Sequence, residues 1–145
     1  MGNIYKIFLR AKLFDGFVDL ITIIRNKKIK TAIVSFAFRE YVDFIVNSFK
    51  LEKFFDLIIA FEDVKKSKPH PEGVLLVANK FKFEPSKILV VGDTETDMLM
   101  GNAAGSETCF FYPIENREIY SEEKTKKIHS TFRVDTFKKL IELFD

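Results

Sequence analysis

The 145-residue sequence predicts an α/β fold, a parallel sheet covered by helices on both sides. Three observations carry this. Apolar runs of strand length alternate with segments of helical period along the chain. The runs are apolar at every position, as in strands buried on both faces. No repeat or Pro/Gly-rich linker interrupts the alternation, and the length suits one core.

The elements follow in order. Phe17, Leu20, Ile21 and Ile24 lie at helical spacing, and Asp15-Gly16 suits a helix start. Ala32-Ile33-Val34 reads as a buried strand. Tyr41, Ile45 and Phe49 mark a second helix, and Leu57 to Ala60 a second strand. Val74, Leu75, Ala78 and Phe81 mark a third helix, introduced by Pro69 and Pro71. Ile88 to Val91 is the clearest strand, closing at Gly92. Asp97 to Ala104 is a short helix that Gly105 can cap. Thr108 to Phe111 is a fourth strand, and Phe137, Leu140, Ile141 and Phe144 form a last amphipathic helix. Strands are expected near 31–35, 57–60, 88–92 and 108–111.

Composition narrows the function. With 47% hydrophobic and 30% charged residues the chain is globular rather than disordered. A net charge of +2 gives no reason to expect nucleic acid or an acidic membrane surface as partner. No apolar run approaches the ~20 residues that span a bilayer, and the start lacks signal-peptide features, so a cytoplasmic protein is expected. The single cysteine, Cys109, excludes an internal disulfide; set in an apolar run, it reads as a buried small hydrophobe.

In parallel sheets ligands bind beyond the carboxyl ends of the strands. Four polar residues stand there or lead to them: Ser35 after the first strand, Lys68 in Lys68-Pro69-His70-Pro71, and Asp93 with Asp97 after Gly92. Singly each has a plain structural reading: a cap, a solvated charge run, an N-cap. Jointly their order resembles motifs two, three and four of the haloacid dehalogenase superfamily. The stretch Lys68-Pro69-His70-Pro71-Glu72-Gly73-Val74, then Val90-Val91-Gly92-Asp93-Thr94-Glu95-Thr96-Asp97, then Gly101 and Ala103-Ala104-Gly105, looks most like its phosphoglycolate phosphatase branch. Asp15-Gly16-Phe17 stands where that branch has Pro-Gly-Val. The resemblance runs from about Asp15 to Phe144 and implies a three-layer Rossmann-like core over residues 15–145.

The resemblance also implies roles. Ser35 would hydrogen-bond a phosphoryl oxygen. Lys68 would neutralise the phosphoryl group and the nucleophile. Asp93 would ligate Mg²⁺, and Asp97 would hold the ion's waters or the lysine. Transferred phosphoryl groups need such neutralisation, and Mg²⁺ takes one or two carboxylates with several waters. His70 and His129 have no place in this scheme and read as structural.

One motif is missing. The family's first motif, Asp-x-Asp-Gly-Thr, supplies the nucleophile and the general acid-base. No Asp-x-Asp occurs in this sequence, and Leu13 stands two residues before Asp15. The spacing to Ser35 leaves no room for a cap domain, which usually selects the substrate. Residues 1–14 are then a lead-in, expected to be helical over 4–12 as a remnant of the link from the cap: Ile4, Ile7, Phe8 and Ala11 share one face, and a central strand there would bury Lys6. The core is expected to be incomplete at its first strand, with unpaired edges open to self-association or to a missing N-terminal piece. Two functions fit. One is a phosphohydrolase of a small phosphorylated molecule, inactive and weak in Mg²⁺ binding without its nucleophile. The other is a degenerate relative that binds a phosphorylated ligand or a protein.

Overall fold

The computed structural model describes Lys6 and residues 9–145. Its elements are α1 (Phe17–Asn26), β1 (Ala32–Val34), α2 (Arg39–Ser48), β2 (Leu57–Ile59), α3 (Glu72–Phe81), β3 (Leu89–Gly92), α4 (Glu95–Ala104), β4 (Glu107–Phe111), α5 (Glu122–Thr125), β5 (Phe132–Val134) and α6 (Phe137–Ile141), with short 3₁₀ turns between. No helix among the described residues is long and apolar enough to cross a membrane.

All strand pairs are parallel. β1 pairs with β2, placing Ala32 opposite Leu57 and Val34 opposite Ile59. A second sheet runs β3-β4-β5. Among the described residues no strand joins the two, so the sheet is partial. The strand period of two assigns β4 to both faces. Cys109 and Phe111 pack with Leu20, Val134, Phe137 and Leu140 beneath α1 and α6. Phe110, with Tyr112, packs against Met98 of α4 on the other face. Helix α1 spans the two sheets: its Leu20 belongs to the β4–β5 core, and its neighbour Ile21 to a cluster with Val42, Val46, Leu51 and Ala60. Helices therefore bridge the gap that backbone hydrogen bonds do not.

The burial of the inner strands records that gap. In β4 four of five residues are buried. In β1 all three are only half-buried, and in β3 Val91 is 41% exposed. Helix α3 and the loop before it reach both sides near the strand ends. A Cβ on Gly73 would meet Val34 of β1 and Met100 of α4, and the Lys68 ammonium sits over the Phe36 ring, just past β1.

Several expectations need correction. The helix expected over 4–12 falls partly on residues 4, 5, 7 and 8, outside those described. Lys6 is helical, but Leu9 and Arg10 form a turn and 11–14 carry no helix. Phe14 edges onto Phe111 and Phe137, which draws this stretch onto the core. The inward stripe of α2 is Val42 and Val46 rather than Tyr41 and Ile45. In α3 the core positions are Gly73, Val74, Val77 and Ala78, while Leu75 is 42% exposed. Strand β5 was not expected; Arg133 at its centre hid a three-residue edge strand. Gly105 does cap α4, with φ of 80°, a conformation that glycine adopts at no steric cost.

Candidate active site

The site begins where β3 ends. Past Gly92 the chain turns through Asp93 into α4, whose N-cap is Thr94. The Thr94 hydroxyl accepts from the Asp97 N–H at 3.2 Å, and Asp97 Oδ2 accepts in return from the Thr94 N–H at 3.1 Å and hydroxyl at 2.7 Å. This reciprocal capping box satisfies two donors at the helix start. Thr94-x-x-Asp97 is its sequence signature. The other oxygen, Asp97 Oδ1, accepts from Lys68 Nζ at 2.6 Å. Both Asp97 oxygens are thus engaged. The pair is partly sheltered, with side-chain exposures of 26% for Lys68 and 13% for Asp97.

Gly92 allows this arrangement. A Cβ there would stand 2.6 Å from the Asp97 carboxyl carbon, closer than any side chain tolerates. The loop that presents Lys68 is held from α3. Glu72 accepts from the N–H groups of Lys65 at 2.8 Å and Lys66 at 2.9 Å. These bonds, that from Lys65 first, hold its carboxyl below the usual glutamate range. His70 Nδ1 accepts from the Glu72 N–H at 3.2 Å, and His129 meets Asn102. Glu72 had no signal in sequence beyond its place in the motif.

Ser35 stands at the end of β1. Its N–H extends the ladder to the Ile59 carbonyl at 2.9 Å, and its hydroxyl accepts from the Ala37 N–H at 3.2 Å. It does not cap α2, whose N-cap is Phe38. Its hydroxyl proton remains available to donate. Among the described residues no hydrogen bond joins Ser35 to Lys68, Asp93 or Asp97. The link across the gap is Phe36, the residue next to Ser35, whose ring centroid lies 5.6 Å from the Lys68 ammonium.

Asp93 accepts on Oδ2 from Asn116 Nδ2 at 3.1 Å, and Oδ1 has no hydrogen-bond partner among the described residues. No group of three or more His, Cys, Asp or Glu among them could hold a metal. The chemistry of the remaining donor still fits a hard divalent cation: Asp93 offers one carboxylate oxygen, the lower end of what Mg²⁺ takes from protein.

Comparison with known proteins decides the family. The haloacid dehalogenase-like hydrolase family matches residues 2–105. The chain belongs to that family. It is 34% identical over 95 residues to the pyrophosphatase PpaX of Bacillus pumilus, a match covering 66% of this chain and 44% of that protein. It is 31% identical over 93 residues to a phosphoglycolate phosphatase of Salmonella typhi, covering 64% and 37%. The chain thus spans about half or less of these relatives. Among solved structures, a hydrolase of the superfamily from Ehrlichia chaffeensis superposes with a TM-score of 0.75 at 25% identity, covering 91% of this chain and 57% of the other. A phosphatase of the superfamily from Thermococcus onnurineus gives 0.80 at 18% identity, covering 97% and 62%; this likeness shows the fold. The three-layer Rossmann-like core expected from the motifs is therefore the fold of the family, here with a partial sheet.

Proposed function

We propose that this chain works as part of a Mg²⁺-dependent phosphohydrolase acting on a small phosphorylated molecule, with the nucleophilic aspartate brought in on a strand seated between β1 and β3. The observation that carries the reading is the placing of Lys68. Its ammonium pairs with Asp97 at one lip of the gap and lies over Phe36, beside Ser35, at the other. A phosphoryl group between these lips would receive a hydrogen bond from the Ser35 hydroxyl and positive charge from Lys68, as the negative equatorial oxygens of the transition state require. Asp93 would hold the metal, and the metal would supply further charge neutralisation.

The strand is called for by physics as much as by resemblance. Among the described residues β1 and β3 each keep one edge without a strand partner, and Val91 is half-exposed in a strand that is otherwise apolar. A parallel strand of about four residues would satisfy both edges and cover that surface. Without it the edges favour self-association. The relatives named above act on pyrophosphate and phosphoglycolate, which supports a small phosphate compound as substrate class and no narrower choice. A second reading, a ligand or protein binder without turnover, draws on one fact: the charge of Lys68 is already met by Asp97.

The test is hydrolysis of p-nitrophenyl phosphate with Mg²⁺. The chain alone should show no turnover above background. Fusing an apolar strand ending in Asp-x-Asp-Gly-Thr upstream should create Mg²⁺-dependent turnover that Lys68→Met removes. Robust turnover by the unfused chain, abolished by Asp93→Asn, would overturn the reading. A folded fusion without activity would favour the binder.

A further inference from the structure

Asn116 has no part in the reading above. It lies in the 3₁₀ segment Ile114–Glu118 that follows β4, and it is the only buried residue of that segment. It is 4% exposed, whereas Ile114 is 69% and Ile119 70% exposed. The usual order is inverted: isoleucines face out and an amide faces in. A buried amide is costly unless hydrogen-bonded, so its partner says why it is there. That partner is Asp93, whose Oδ2 accepts from Asn116 Nδ2 at 3.1 Å. A carboxylate only accepts, so the nitrogen must be the atom that faces it. The main chain of Asn116 is also held. The Asn116 N–H donates to the Pro113 carbonyl at 3.1 Å, and its own carbonyl accepts from the N–H groups of Ile119 at 3.1 Å and Tyr120 at 2.9 Å.

We propose that Asn116 is a positioning residue for Asp93. It occupies one carboxylate oxygen with a donor fixed in the loop after β4, and so leaves Oδ1 as the oxygen presented to a divalent cation. This rests on the reading of Asp93 as the metal-holding carboxylate. The physical effect is orientation. A carboxylate free to rotate spends only part of its time in the binding pose, and partners that orient metal ligands alter affinity by roughly 10–100-fold.

The test is titration of the full chain with Mn²⁺, followed by electron paramagnetic resonance, in wild type, Asp93→Asn and Asn116→Leu. The proposal expects weak saturable binding by wild type, its loss in Asp93→Asn, and about tenfold or greater weakening in Asn116→Leu at a temperature where circular dichroism shows all three folded. Should the leucine variant fail to fold, Asn116→Ser, which keeps a donor, is compared with Asn116→Ala, which has none; serine must bind Mn²⁺ more tightly. Loss of binding in Asp93→Asn with no change in Asn116→Leu, or equal affinity of the serine and alanine variants, overturns the positioning role alone. Absence of saturable binding at millimolar Mn²⁺, or binding indifferent to Asp93→Asn, overturns the reading of Asp93 and the positioning role with it.

Discussion

The Lys68–Asp97 pair can be weighed by replacing Asp97 with asparagine. The substitution keeps the shape and one acceptor oxygen; with that oxygen turned to the Thr94 N–H the capping bond survives, while the amide nitrogen faces Lys68, so the charge and the Lys68 hydrogen bond are both lost. Exposed ion pairs contribute at most about 1 kcal/mol, whereas hydrogen bonds to charged groups contribute about 1.5–3 kcal/mol. At 2.6 Å, with side-chain exposures of 26% and 13%, this pair lies between those classes. Asp97→Asn should therefore cost about 1.5 kcal/mol, a fall of roughly 3–6 °C in Tm for a chain of this length. Asp97→Ala removes the capping acceptor as well and should cost about 1 kcal/mol more. The decisive comparison is a double-mutant cycle with Lys68→Met, by urea denaturation at pH 7 and low salt. In the Lys68→Met background Asp97→Asn should cost less by about 1 kcal/mol or more. If it costs the same in both backgrounds, the lysine contributes nothing to holding Asp97, and the lips of the gap are not tied as described.

Two further predictions concern titration and reactivity. The N–H of Thr31 and the guanidinium of Arg25 hold Asp56 below its ordinary value of 3.8, and the Ala60 N–H and Arg39 do the same for Asp63. Folded values below unfolded ones mean that the unfolded chain binds more protons in that interval. This stability is therefore complete above the unfolded value and lost as pH falls through the folded ones. Urea midpoints should drop on acidification below about pH 5, and less steeply in Asp56→Asn; an unchanged slope would contradict the assignment. Cys109 is fully buried, and burial pushes its thiol up to about 11. A disulfide reagent at pH 8 should modify it only at the rate of unfolding, and rapid modification of the folded chain would show that the β4 core opens.

The legible parts of the structure were those with a local cause. Helices α1 to α3 and α6 were found because an apolar stripe recurs at helical spacing. Their inward faces were placed less well: Tyr41 and Leu75 looked like core, yet Val42 and Val77 are. Periodicity finds a helix, but rotation about its axis is set by what it packs on. Strand β5 escaped because an edge strand of three residues with Arg133 at its centre has no apolar run to show. Ser35, Lys68, Asp93 and Asp97 stood out as candidates because their types and order repeat a known pattern. Glu72 and Asn116 did not. Their work is to hold other residues, through partners seven and 23 positions away, and no local pattern encodes such a contact.

By itself the sequence determined the fold class and the family, because each depends on residue type and short-range spacing, and it singled out four polar residues as candidates. These residues contain no Asp-x-Asp. Only the tertiary structure decided how those four residues are used. It committed both oxygens of Asp97, one to Lys68 and one to Thr94, and left Asp93 with one free oxygen among the described residues. It set Ser35 apart, with no hydrogen bond to the other three among the described residues. The reason is that a hydrogen bond depends on where two atoms stand after the chain has packed, and that packing brings Lys68 against Asp97 across 29 positions through helices and strands that neither residue belongs to alone.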